Sequence, residues 1–150
     1  MNASAQDLSI SLTRKIANVT VMFRAEFPVA VPDLSPWLTD DITQQQIQPS
    51  SIDLNFVSPQ TSNLLNCRCV FLQILFSDAV LEPTCRFIGI EASGHDYQGK
   101  CWTCSTVTNW QFEGRHVPED PNQKKRFIHL LEQILTLFNY PTALSRSILD

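Results

Sequence analysis

At 150 residues the chain has the size of one domain, long enough to bury roughly 70% of its unfolded surface and to fold without disulfides or a metal. A net charge of −4 argues against a dedicated nucleic-acid binder, whose affinity comes largely from neutralising phosphates, and equally against a polybasic membrane anchor. Charged residues make up 17%, below the usual quarter or so, which leaves surface for a partner.

The first 16 residues lack a charged region followed by a continuous apolar stretch, so no secretion signal is read there. Residues 1–6 are expected to be a flexible N-terminus. Leu8, Ile10 and Leu12 alternate with serines, as in a short half-buried strand. Val19, Val21, Phe23, Ala25 and Phe27 alternate with Thr20, Arg24 and Glu26, and predict a strand over residues 17–27. Pro28–Pro36 then breaks any ladder and offers an extended segment that a partner could take up. Ser35-Pro36 suits a helix start, with Asp40 and Asp41 near the positive end of the dipole. A short helix over 36–47, packing through Trp37, Leu38 and Ile42, follows from this.

Ile52, Leu54 and Phe56 mark a further strand. Cys67–Phe76 is apolar on both faces, the pattern of a central strand covered on two sides. Cys85–Ala92 and Lys100–Thr106 read as a hairpin around the turn-forming loop Ser93–Gly99. Trp110 and Phe112 prolong the β pattern to Glu113-Gly114. Asp120-Pro121-Asn122-Gln123 is a helix start. Phe127, Leu130, Leu131, Ile134, Leu135 and Phe138 form a broad apolar stripe before Asn139-Tyr140-Pro141 stops the helix. Residues 141–150 are left as a C-terminal tail.

The order implies a single α+β domain. It has a mainly antiparallel sheet of about five to seven strands, a short helix after the first strands, and a long C-terminal helix packed on one face.

Five cysteines are an odd number for a closed disulfide framework, and reduced thiols in the cytosol are the simpler expectation. Cys67, Cys69, Cys101 and Cys104 have the types that zinc wants. Both pairs fall in predicted strands rather than knuckle turns, however, and buried cysteine commonly acts as a small hydrophobe. The Cys101–Cys104 spacing also matches redox motifs, but no helix follows to lower a thiol pKa. His95-Asp96 invites an acid–base role, against the plainer expectation of a polar hairpin tip.

Arg115, His116, Lys124, Lys125 and Arg126 form a basic cluster around a helix start, where cations oppose the dipole. Such a local conflict can mark a site for an anion or an acidic partner surface; the alternative is a solvated face offset by Glu119 and Asp120. Trp102, Trp110 and Phe112 lie close together but lack interleaved cations, so core or edge packing is expected over a base-stacking platform.

With no catalytic constellation and no cofactor motif, the expectation is a cytoplasmic, non-enzymatic protein-binding or adaptor module. Its partner is another protein or a second copy of itself, with neither membrane nor nucleic acid involved. The alternatives are a small-ligand carrier or enzyme with a cavity between the sheet and the C-terminal helix, and a zinc module.

Overall fold

In the computed structural model, which describes residues 1–37, 40–45, 47–59 and 64–139, the chain runs through eight elements. They are α1 (Ile10–Glu26), β1 (Val31–Asp33), α2 (Asp41–Gln44), β2 (Ser51–Val57), β3 (Cys69–Phe76), β4 (Phe87–Asp96), β5 (Gly99–Ser105) and α3 (Pro121–Asn139). The class is α+β. Five strands make one antiparallel sheet in chain order, β1-β2-β3-β4-β5, so each strand lies beside its neighbour in sequence, the commonest arrangement. The expected C-terminal tail lies outside the described residues.

β3 is the middle strand, as its double-sided apolarity predicts. Ile74 stands between Ile52 of β2 and Ile90 of β4, and Leu72 between Leu54 and Ala92. Val70, Leu72, Ile74 and Phe76 are buried, while Cys69, Phe71, Gln73 and Leu75 are half-buried. The two faces are therefore not covered equally. α3 supplies Phe127, Leu130, Leu131, Ile134 and Phe138 to the core, each contributing roughly 1.5–3 kcal/mol by leaving water. Phe127 meets Trp102 edge-on at 5.7 Å, and Phe138 stacks on Phe87 at 5.2 Å.

The largest correction concerns the N-terminal third. Residues 10–12 and 17–26, within the two stretches 8–12 and 17–27 expected as strands, belong instead to the helix α1, which Ser9 caps by accepting from the Leu12 N–H at 3.1 Å and Phe27 follows as C-cap. The alternation over 19–27 was a coincidence of two periods. Ile16, Val19 and Phe23 recur at helical spacing and are buried, whereas Val21, an inner-face residue of the supposed strand, is 67% exposed. Met22, the one residue that breaks the alternation, was the helical signal. Tertiary packing then overrides the strand preference of Val and Thr: Phe23 stacks on Phe56 of β2 with centroids 3.7 Å apart.

The helix expected over 36–47 shrinks to the single turn α2, and Ile42, expected to pack, is 75% exposed. Leu38 lies outside the described residues. Ser35 does not open a helix, because the Trp37 N–H donates to Asn2 Oδ1 at 3.0 Å and the Trp37 indole N–H to Asp53 Oδ2 at 2.5 Å. Met1, Asn2 and Ala3, within the 1–6 stretch expected to be flexible, are hydrogen-bonded at this same point. The Met1 ammonium reaches Asp53 Oδ2 at 3.0 Å, and the backbone of Met1 and Ala3 brackets Asp53 with two hydrogen bonds. Asp53 is fully buried yet accepts from Met1, Trp37, Ser51 and Gln73, which is how a buried carboxylate offsets its lost hydration.

Two further corrections follow from the backbone. Val31–Asp33, inside the proline-rich segment expected to break any ladder, pairs with β2 as a three-residue strand. Pro32 is tolerated there because β1 is an edge. Ser93–Asp96, expected as loop, extends β4, leaving Tyr97 and Gln98 as the turn. Gly94 belongs in the strand because a Cβ there would lie 2.4 Å from the Trp102 ring. That ring donates its N–H to the Leu65 carbonyl at 2.9 Å.

Candidate functional site

After β5 the chain does not continue as a strand through Trp110 and Phe112, as the pattern had suggested. It forms a loop strapped back onto β5. Glu113 and Thr103 exchange two backbone hydrogen bonds at 2.7 and 2.9 Å, and the His116 N–H donates to the Cys101 carbonyl at 3.0 Å. The strap lies this close because residue 114 is glycine: its φ is +148°, and a Cβ would sit 2.3 Å from the Cys101 carbonyl oxygen. Trp110 itself holds a left-handed backbone with φ 61°, a conformation costing on the order of 1–3 kcal/mol that persists only where its surroundings enforce it. Here the Trp110 N–H donates to the Ser105 carbonyl at 3.0 Å, and Asn109 binds Glu113 Oε1 at 2.7 Å. Phe112 turns inward onto Trp102 and Phe127, at 4.9 and 5.7 Å. Further on, the Val117 carbonyl accepts from Asn66 at 3.0 Å.

Between this loop and the opening turns of α3 lies a cleft of about 340 Å³. Its apolar wall is Trp110, Phe112, Val117, Pro118 and Ile128; Gln111, Lys124 and Lys125 supply the polar part. Helical spacing explains the last group. Lys124 and Lys125 precede Ile128 by one turn and share its side of α3, while Phe127, Leu130 and Leu131 face the core. Asp120 fixes the helix start by accepting from the Asn122 and Lys124 N–H groups.

The five basic residues singled out in the sequence do not act as one patch. Arg115 donates to Asp96 at 2.5 Å and to the Lys100 carbonyl at 3.1 Å, bracing the β4–β5 turn. Arg126 pairs with Glu26 at 3.2 Å and covers the Phe27 ring, joining α3 to α1. His116 is exposed and contributes its backbone to the strap. Among the described residues Lys124 and Lys125 form no ion pair, and both line the cleft.

The cysteines are distributed differently from a metal centre. Among the described residues, no three His, Cys, Asp or Glu side chains are grouped so as to hold an ion. Cys104 sits opposite Ala92 in the buried set, and Cys101 falls at the irregular step of the β4–β5 pairing. Cys69 is half-buried at the start of β3, whereas Cys67 is buried where a Cβ on Gly94 would meet its sulfur. Burial pushes the Cys67 thiol up to about 12, with Cys101 and Cys69 adding to the rise. Burial likewise lifts Cys104 to about 11, helped by Glu113. Thiols held protonated in this way pack as apolar groups and are poor nucleophiles.

His95 and Asp96 do not pair. Asp96 accepts from the Gln98 N–H and from Arg115 as a turn residue. His95 Nε2 instead shares a 2.9 Å hydrogen bond with Ser93 Oγ, two residues back on β4. Burial holds the imidazole below its ordinary pKa, Lys100 adds to the effect, and Asp96 opposes it. Phe23 of α1, Phe56 and Trp102 of the sheet, and Phe127 and Leu130 of α3 are all fully buried in the core.

Sequence reasoning named Lys124 and Lys125 but missed the wall they stand beside. Trp110 and Phe112 have no interleaved cations in the chain; in the fold Lys124 and Lys125 of α3 line the same cleft. The cleft can hold an apolar group while placing positive charge at its edge.

Among the described residues, no helix is long and apolar enough to cross a membrane. Neither the curated proteins nor the solved structures include a significant match to the chain. A family model described as a domain of unknown function matches residues 4–140, so the chain belongs to that family.

Proposed function

We propose that this protein is a non-enzymatic binding module of the cytosol that recognises a segment of another protein through the cleft between the 106–118 loop and α3. The observation that carries the proposal is the pairing of a strapped aromatic wall with two lysines that, among the described residues, form no ion pair. Protein interfaces concentrate their energy where a bulky anchor enters a preformed apolar pocket, with charges at the rim governing selectivity. Preorganisation favours binding, because less loop ordering has to be offset.

The test replaces Ile128 with Asp, which puts a charge in the cleft; because Ile128 is half-buried and packs against the core, circular dichroism first confirms that the variant is folded. Wild type and Ile128→Asp serve as baits in native cytosol, and the recovered protein is then purified and titrated against both by calorimetry. A stoichiometric partner that binds wild type at least about tenfold more tightly, a difference of about 1.4 kcal/mol, supports the proposal. A partner that binds both equally, or no stoichiometric partner at all, refutes it.

A second proposal, a small-ligand carrier, is favoured by one observation: about 340 Å³ is within the lower range of small-molecule pockets, roughly 300–1,000 Å³. Native mass spectrometry would then show a retained mass on wild type that Ile128→Asp lacks.

A further inference from the structure

We infer that the segment taken up by the cleft is acidic and carries a bulky apolar side chain: an Asp/Glu-containing peptide whose aromatic or large aliphatic residue rests on Phe112, Val117 and Ile128 while its carboxylates meet Lys124 and Lys125. This rests on the binding-module proposal and adds the chemistry of the partner.

Charge complementarity selects the occupant. Lys124 is half-buried and Lys125 exposed, both at the open edge of an otherwise apolar cleft. Each is unfavourable where it stands, since the opening turns of α3 already carry the positive end of the helix dipole. The two guanidinium groups of the basic cluster are already paired, Arg115 with Asp96 and Arg126 with Glu26. Asp120, the nearest acidic residue in sequence, is occupied as the helix cap. A carboxylate brought by the partner would complete these two lysines and meet the dipole together. A basic segment would face both lysines and the dipole at once and is excluded by the same fields.

A nucleic acid fits less well. Two cations beside one pocket do not track a phosphate backbone, and the guanidinium groups of Arg115 and Arg126 already pair with carboxylates. The pocket therefore favours one apolar anchor with flanking acids over a run of stacked bases.

The experiment uses the full chain to select peptides from a random displayed library. Selected peptides are then titrated by fluorescence anisotropy against wild type, Ile128→Asp and the double variant Lys124→Glu/Lys125→Glu. The double variant places acids in the first turns of α3, where the dipole favours them, and circular dichroism confirms that it is folded. Enriched peptides should combine Asp or Glu with an aromatic or large aliphatic residue, and should lose binding to Ile128→Asp. Each lysine reversed should weaken them by roughly two- to fivefold, and high salt should weaken the wild-type complex in the same sense. A peptide with its acids changed to Lys should prefer the double variant over wild type.

Cleft-dependent peptides that are neutral or basic, or acidic peptides indifferent to the double variant, would overturn the acidic-partner inference while leaving the binding module standing. A selection with no peptide sensitive to Ile128→Asp would overturn both.

Discussion

Gly114→Ala tests whether the loop and its cleft are built as described. The added Cβ would lie 2.3 Å from the Cys101 carbonyl oxygen and 2.7 Å from the Trp102 Cα. Both are backbone atoms of β5, so neither can swing aside. The loop must lift. Lifting breaks the two bonds between Glu113 and Thr103 and the bond from the His116 N–H to Cys101, at about 0.5–1.5 kcal/mol each, or about 1.5–4.5 kcal/mol together. Relaxation of the left-handed Trp110 returns part of this, and lost packing of half-buried Phe112 removes a similar amount. Gly99→Ala is the control, because Gly99 also has a positive φ, +112°, but nothing within 4 Å of the added Cβ. It should lose only the conformational penalty of about 1–2 kcal/mol. Urea unfolding of the three proteins measures the difference, and Gly114→Ala should move the midpoint down by about 1.5 M for a loss of about 3 kcal/mol and an m-value of about 2 kcal/mol/M. It should also lose binding at the cleft, which Gly99→Ala keeps. Equal destabilisation by the two substitutions, with binding intact in both, would refute the strap.

Four other outcomes follow from the packing and the charges. Leu131→Ala should cost about 2–5 kcal/mol in chemical denaturation, as for a fully buried leucine, and a loss under about 0.5 kcal/mol would contradict the placement of α3. Asp53→Asn leaves the Met1 ammonium without its counter-charge and should cost about 1.5–3 kcal/mol, whereas Glu26→Gln, at a partly exposed pair, should cost only about 0.2–1 kcal/mol; equal losses would count against a buried hub at Asp53. His95 has a depressed folded pKa, so its contribution is complete above the unfolded value of about 6.5 and is lost as pH falls through the lower folded value. Thermal stability should thus drop on acidification below about pH 6.5, and His95→Gln should lessen that drop; an identical slope in the variant would refute it. Alkylation of the native protein at mildly alkaline pH, mapped by mass spectrometry, should spare Cys67 and Cys104, whose thiols burial holds near about 12 and 11; rapid labelling of either would contradict their burial.

The sequence made some of this fold plain and concealed the rest for physical reasons. α3 was legible because its cap, first-turn proline and apolar stripe all agree. β3 was legible because few elements other than a central strand are apolar on both faces. α1 was concealed by Val19, Val21, Phe23 and Ala25, which suit a strand on one face as well as a helix on another. The packing of Phe23 on Phe56 favours the helix. The one-turn α2 was overestimated because Ser35-Pro36 looks like a cap until Asn2 and Asp53, distant in sequence, claim the Trp37 N–H groups. At the candidate site the lysines stood out through a local conflict with the helix dipole. Their neighbours did not, since Trp110 and Phe112 reach Lys124 only through the turn at Gly114. The split of the basic cluster, with Arg115 and Arg126 used internally, depends on Asp96 and Glu26 and could not be read from spacing.

The proposed binding function places a partner segment in the cleft beside α3. Isotope-labelled protein titrated with a selected acidic peptide, followed amide by amide in nuclear magnetic resonance spectra, tests it most directly. Shifts should concentrate at Trp110, Gln111, Phe112, Val117, Lys124, Lys125 and Ile128. Shifts confined to the exposed side of α1 or to the half-buried face of β3, with those amides still, would contradict it.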